Sequence, residues 1–233
     1  MALVFVTGGS RGLGLATAKA LKQQGHEIVL FASNKEKLAI AASDLSCSYE
    51  VVDLANIKET REVFHEAVSK YGVPEILMLA HGVMSDRTSK TLRTTDEEWR
   101  RVMTINLDSV FTIVNEVGAQ MAEARKGRII IYSACLGRMS GPGNAGGLAP
   151  YRISKAGVNA LVRNLAHETG HGSRGLWVDA ICPNHSRTDM GGENAPRSAE
   201  EGAATAVWLA TRELTPGVTQ TGLLWEDEEV VPW

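Results

Sequence analysis

Cysteine is scarce in this sequence and shows no pairing. Cys47, Cys135 and Cys182 are widely spaced and form no CxxC. That pattern argues against a disulfide framework and against a zinc-ligand set, so no metal and a reducing cytoplasmic setting are expected. A dominant charge sign is missing too. The 24 Lys+Arg stand against 27 Asp+Glu, a net charge of −3, which offers no basic face to a nucleic acid. No apolar stretch approaches the roughly 20 residues needed to span a bilayer, so no membrane partner is expected. The first six residues lack the charged start of a secretory signal. No repeat and no Pro/Ser-rich linker divides the chain. A short acidic run, Glu226-Asp227-Glu228-Glu229, reads as a solvated surface loop.

What is present is ordinary globular material in a telling order. Hydrophobic residues make up 44% and charged residues 22% of 233 positions, enough for one sizeable core. Short, nearly unbroken apolar runs at residues 2–6, 27–31, 49–52, 76–80, 128–132 and 176–182 predict strands buried on both faces. Helical periodicity predicts helices over 12–24, 34–43, 56–70, 96–124, 150–169 and 198–210. The alternation predicts a single domain, 1–233. Its fold class is α/β: a doubly wound parallel sheet of about seven strands with helices on both faces, a Rossmann fold.

The turn after the first strand reads Thr7-Gly8-Gly9-Ser10-Arg11-Gly12-Leu13-Gly14. Glycines there permit a tight turn and a close approach of phosphate to backbone, while the following helix offers free N–H groups and its positive dipole end. Between a strand and a helix, such a turn points to a dinucleotide. The end of the second strand, Phe31-Ala32-Ser33-Asn34-Lys35, has no acid to take a ribose 2′-OH. Arg11 and Lys35 can instead neutralise a 2′-phosphate, with Ser33 and Asn34 beside them. NADP(H) is therefore the expected cofactor, with NAD(H) as the alternative.

In the helix over 150–169, Val158, Leu161, Val162, Leu165 and Ala166 form one buried stripe. Extended backward, the stripe passes through Lys155 and Tyr151. A nearby ammonium lowers the phenol pKa of about 10, making Tyr151 a candidate proton donor or acceptor at a carbonyl oxygen. Ser133, at the end of a neighbouring strand, can hold the same oxygen. The loop over 133–149 carries Gly137, Gly141, Gly143, Gly146 and Gly147; it reads as a mobile lid or as a connector rich in special dihedrals.

In order, Thr7–Gly14, Asp53-Leu54, Asn106 within Thr104-Ile105-Asn106-Leu107, Ser133, Tyr151-Arg152-Ile153-Ser154-Lys155 and Pro183 through Thr188 resemble the short-chain dehydrogenase/reductase family over the whole chain. The segments Arg187-Thr188-Asp189-Met190-Gly191-Gly192, Glu201-Gly202-Ala203, Trp208-Leu209-Ala210 and Thr221-Gly222, with a closing Trp233, are similar to its carbonyl-reductase-like members. The resemblance implies hydride transfer between nicotinamide and a carbonyl or secondary alcohol carbon. Tyr151 would be the acid/base, Ser133 would orient the carbonyl, and Lys155 would also bind the nicotinamide ribose. Asn106 would hold a water behind Lys155, Asp53 with Leu54 would meet the adenine, and Thr188 the carboxamide or pyrophosphate. Ala80, His81, Gly82, Pro183 and Ser186 would complete the cofactor seat. The helices over 96–124 and 150–169 would form the subunit interface of a homodimer or homotetramer.

The chain departs from the family pattern in three places. Leu79-Ala80-His81-Gly82 replaces Asn-Asn-Ala-Gly, which puts sheet-bracing hydrogen bonds in doubt. His81 would replace one of those bonds, face the adenine, or serve as a satisfied core histidine. Pro183-Asn184 replaces Pro-Gly, and Asn tolerates the left-handed conformation such a turn needs; His185 after it faces either substrate or solvent. The Ser133–Tyr151 separation is long, and Ser140 is the fallback serine. Competing readings are a non-catalytic cofactor-binding regulator, an NAD-preferring alcohol dehydrogenase, and an epimerase or dehydratase on the same scaffold.

Overall fold

A computed structural model describes residues 1–86, 89–141 and 145–233; Gly143 of the glycine-rich loop lies outside them. The described strands are β1 (Leu3–Thr7), β2 (Glu27–Ala32), β3 (Ser48–Val51), β4 (Ile76–Leu79), β5 (Gly127–Tyr132), β6 (Leu176–Ile181), β7 (Leu224–Glu226) and β8 (Glu229–Val231). They form one sheet in the order β3-β2-β1-β4-β5-β6-β7-β8. The pairings are parallel from β3 through β7, and β8 runs antiparallel to β7. The sheet thus has eight strands where about seven are expected. The acidic run is not a plain solvated loop. It joins β7 to β8 through Asp227 and Glu228, both at positive φ (53° and 64°), as a two-residue hairpin turn demands.

Alternate side chains of each strand feed opposite cores. Phe5, Phe31, Leu77 and Ile129 pack on one face against Phe64, Val110, Val158 and Val162. Those partners belong to α3 (Ile57–Tyr71), α5 (Ser109–Ile113) and α7 (Ala149–Glu168). Val4, Val6, Leu30 and Met78 pack on the other face against Leu21, Leu38 and Leu209. These come from α1 (Gly12–Gln23), α2 (Lys35–Leu45) and α8 (Ala199–Thr211). Each such large side chain removed fully from water contributes about 1.5–3 kcal/mol, so both faces are well anchored.

The helix expected over 96–124 is continuous but not uniform. It runs as α4 (Asp96–Met103), a π-type segment Thr104–Asp108, α5, a second π-type segment Val114–Gly118, and α6 (Ala119–Ala124). Such widenings concentrate at functional positions, and the first contains Asn106. Strand order reverses between β1 and β4, which run from the middle of the sheet in opposite directions of connection. The crevice beyond their carboxyl ends is where open α/β sheets bind ligands. No helix among the described residues is long and apolar enough to cross a membrane, and they contain no metal-ligating cluster.

Candidate active site and dinucleotide groove

A groove of about 470 Å³ lies over that crevice. Its wall includes Gly8, Ser10, Arg11, Gly12, Leu13, Gly14, Ser33, Asp53, Leu54, Ala80, His81, Gly82 and Thr188, all predicted from sequence. Gly8 has φ +66°, and a Cβ on Gly14 would sit 2.4 Å from the Gly8 carbonyl oxygen, so the turn closes this tightly only with glycine. The start of α1 has no side-chain cap. By contrast α2, α3, α4 and α8 are capped by Asn34, Asn56, Thr95 and Ser198. The α1 terminus therefore keeps backbone N–H groups directed at the groove without a protein acceptor on a side chain, as a pyrophosphate requires. These residues fit a dinucleotide.

Two predicted cofactor contacts, Asn34 and Lys35, line neither the groove nor the cavity that adjoins it. Asn34 Oδ1 accepts from Lys37 N at 2.9 Å as the cap of α2, and Lys35 is exposed on the first turn of that helix. An Asn directly before a helix is a capping signal, and that local role takes its side chain. Ser33 remains at the wall, and the exposed Arg11 guanidinium bonds Asp189 across the groove. Asp53 Oδ1 accepts from Ala55 N at 3.0 Å, shaping the turn after β3.

His81 is buried and carries three elements. Thr7 Oγ1 lies 2.6 Å from its Nδ1, and Ser109 Oγ lies 2.9 Å from its Nε2. Ser109 donates its own proton to Ile105 O at 2.7 Å, so it must accept from His81. The ring is therefore the Nε2–H tautomer, with Nδ1 accepting from Thr7, a proton assignment set by the network. Burial and then the nearby Lys155 charge push its pKa down to about 3. A neutral histidine thus braces β1 and the end of β4 against the start of α5, in place of the family's asparagines.

A second cavity of about 420 Å³ adjoins the groove and shares Leu13, Ala80, His81, Gly82 and Thr188 with it. Here lie Tyr151, Lys155, Ser133, Pro183 and Ser186. Lys155 Nζ donates to Tyr132 O at 2.7 Å and stands 5.9 Å from the Tyr151 ring centre. Burial lowers the Lys155 pKa to about 8. The Tyr151 phenol is not lowered as the sequence leads one to expect. Burial, followed by the neighbouring thiol groups of Cys182 and Cys135, pushes it upward, and it reaches no direct ammonium bond. It is held as a protonated donor.

Asn106 sits behind Gly82. Its Oδ1 accepts from Val83 N at 2.8 Å, and its Nδ2 donates to Val83 O at 2.9 Å and to Ser154 Oγ at 3.1 Å. The amide thus clamps the chain after β4 to α7. The serine expected to hold the carbonyl is differently engaged: Ser133 Oγ donates to Asn159 Oδ1 at 2.5 Å. The buried residue packed with Tyr151 is Ala134, together with Val102. Ser140, the fallback, donates to Trp233 O at 3.2 Å and does not line the cavity. Ser186 Oγ donates to Pro183 O at 2.9 Å, a turn-forming contact. Asn184 adopts φ 55°, so the turn after β6 keeps its left-handed residue. His185, at the cavity rim, pairs through Nε2 with Gly191 O at 2.8 Å. Sequence reasoning missed Met84, Leu136, Cys135, Cys182 and Met190, which also line the cavity. Met190 falls in the quoted segment 187–192 without an assigned role, and the other four have no motif of their own.

A dinucleotide groove continuous with a buried Tyr/Lys cavity defines an oxidoreductase of the nicotinamide-using α/β class. A family model described as short chain dehydrogenase matches residues 2–199, and the chain belongs to that family. A 3-oxoacyl-(acyl-carrier-protein) reductase from Rickettsia typhi is 33% identical over 188 residues, covering 80% of this chain and 73% of that protein. Among solved structures, one described as ribose-5-phosphate isomerase from Brucella melitensis has a TM-score of 0.84 at 26% identity, covering 96% of this chain and 89% of its own. A blue fluorescent protein from a metagenomic library, solved with NADPH, has a TM-score of 0.83 at 23% identity, covering 95% and 94%; that likeness is one of fold.

Proposed function

We propose that this protein is an NADP(H)-dependent reductase of carbonyl compounds, a carbonyl reductase or ketoreductase. The observation that carries the reading is the placement of Tyr151 and Lys155 in a cavity that opens into the glycine-turn groove. The nicotinamide, when bound, supplies the hydride. Held protonated by burial, the Tyr151 phenol donates its proton to the oxygen that gains charge as the carbonyl is reduced. Lys155, fixed by the Tyr132 carbonyl, stabilises the tyrosinate left behind and offers its remaining N–H groups to a ribose. Asn106 and His81 keep the floor of the cavity in register. The lining, with Met84, Leu136, Met190 and Ala134, suits a carbonyl carried on an apolar group.

The NADP preference rests on the absence of a carboxylate at Ala32-Ser33 and on Arg11. Arg11, which now pairs with Asp189, would supply a charge-assisted contact to a 2′-phosphate. Two exposed hydrophobics, Phe111 at 53% and Ile153 at 43% exposure, lie on α5 and α7, the helices the family resemblance names for a subunit interface, and we include a homo-oligomer in the proposal. The deciding experiment is a panel of ketones and aldehydes with NADPH, comparing wild type with Tyr151→Phe. Turnover with at least one carbonyl, lost in the variant while NADPH still raises Tm, supports the reading. Undiminished turnover in the variant refutes it, and a larger Tm rise with NADH than with NADPH refutes the cofactor preference.

A further inference from the structure

The wall of the Tyr151 cavity contains two thiols that the proposed reduction does not use. Cys182 directly follows β6, and Cys135 lies two residues beyond the point where Ser133 N still bonds Ile181 O at 2.8 Å. The Cys135 backbone N–H donates to Cys182 Sγ at 3.0 Å, which sets the Cys182 sulfur against the backbone from which the Cys135 thiol branches, and the two thiols interact. Both line the cavity, with Cys182 buried and Cys135 partly open.

We propose that Cys135 and Cys182 form an oxidisable dithiol in the cavity wall, converted by hydrogen peroxide into an intrachain disulfide beside Tyr151. Accessibility divides the roles, since Cys135 is partly open and Cys182 is buried, and the electrostatics agree. A hydrogen bond from the Cys182 thiol lowers the Cys135 pKa, with Arg138 and the Leu136 N–H adding to it. The same pairing, with burial, raises Cys182. Cys135 is thus the thiolate that attacks, and Cys182 is the protonated partner that resolves. The Cys135 thiolate attacks one peroxide oxygen; the O–O bond breaks, and the departing hydroxide takes a proton to leave as water. Cys182 sulfur then attacks the resulting sulfenic sulfur, and its proton leaves with the hydroxyl as a second water. Two thiols lose two electrons and peroxide gains them. The cross-link takes Cys182 Sγ from the Cys135 N–H and ties the ends of β5 and β6 together across the cavity, so carbonyl reduction falls and returns with a thiol reductant.

The test uses the intact chain treated with hydrogen peroxide and then alkylated. Titratable thiols should fall from three to the one at Cys47, and digestion should yield a Cys135–Cys182 cross-linked peptide that dithiothreitol releases. In Cys182→Ala, Cys135 should instead be captured as a sulfenic acid by dimedone; Cys47→Ser should leave the cross-link unchanged. A disulfide through Cys47, or Cys135 oxidised to sulfinic acid with Cys182 still free in wild type, overturns the proposal. Because the mass readout needs no turnover, the dithiol and the proposed reduction fail separately.

Discussion

His81 makes the stability of this protein sensitive to mild acid in a calculable way. Its pKa falls from 6.5 in an unfolded chain to about 3 in the fold, so the folded state prefers the neutral ring. A depressed histidine leaves the contribution intact above pH 6.5 and erodes it as pH falls toward 3, because there the unfolded chain binds the extra proton. At pH 5 the loss amounts to about 2 kcal/mol. For a chain of this size that is a fall in Tm of about 4–8 °C. Other groups titrate in the same window, so the informative quantity is a difference. His81→Asn keeps a polar side chain without a titrating ring. Its ΔG at pH 7.5 should be lower than that of wild type, since a shorter side chain spans Thr7 and Ser109 less well. Between pH 7.5 and pH 5, however, it should lose about 2 kcal/mol less than wild type. Urea unfolding followed by circular dichroism at both pH values measures this. Parallel losses in the two proteins would refute the assigned tautomer and burial.

Three other outcomes follow from the site. Lys155→Met should lower carbonyl reduction by about 100-fold or more yet leave the protein as stable at pH 7 or more so. The depression from 10.5 to about 8 represents about 3 kcal/mol against holding the ammonium, while the abandoned Tyr132 carbonyl costs about 1–3 kcal/mol. Since a depressed lysine burdens the fold below pH 8 and ceases to do so by pH 10.5, the gain should vanish in denaturation curves at pH 10; a constant loss at both pH values would contradict the burial argument. Ser133→Ala should reduce kcat less than tenfold and reduce Tm, because Ser133 bonds Asn159; a loss of a thousandfold in kcat at unchanged Tm would restore it to the carbonyl. Phe111→Glu should convert a homo-oligomer to monomer by light scattering, and an unchanged mass would move the interface elsewhere.

Much of this was legible in the sequence because it is local. Unbroken apolar runs mark β1, β2, β4, β5 and β6, since strands covered on both faces have no solvent side to reveal. The turn from Thr7 to Gly14 and the Tyr151/Lys155 stripe carry their geometry in their spacing. What escaped depends on parity, register or distant partners. Ser133 and Ala134 follow β5, where a step of one residue exchanges faces, and it is Ala134 that packs with Tyr151. The π-type turn at Asn106 changes a hydrogen-bond register that apolar periodicity does not encode. In β7 and β8 there are three residues each, joined by Asp227 and Glu228 without the glycine that usually announces such a turn. His81 depends on Thr7 and Ser109, 74 and 28 residues away. The capping role of Asn34 was readable, but the same segment also suited a 2′-phosphate.

These features together explain why the seat of His81 sits so close to the chemistry. The cavity already holds one buried cation, Lys155, whose own proton is destabilised by burial. A protonated His81 would add a second one, and the Lys155 charge is among the causes that keep the ring neutral. Protonation would also convert Nδ1 from acceptor to donor and so break the bond from Thr7. Acid should therefore act on turnover through the brace between β1 and the start of α5, because Tyr151 remains protonated throughout that range. The acid limb of kcat for carbonyl reduction should follow the loss of near-ultraviolet circular dichroism, and His81→Asn should move both together to lower pH. An acid limb that stays in place in His81→Asn while the dichroism shifts would assign it to a group other than this histidine.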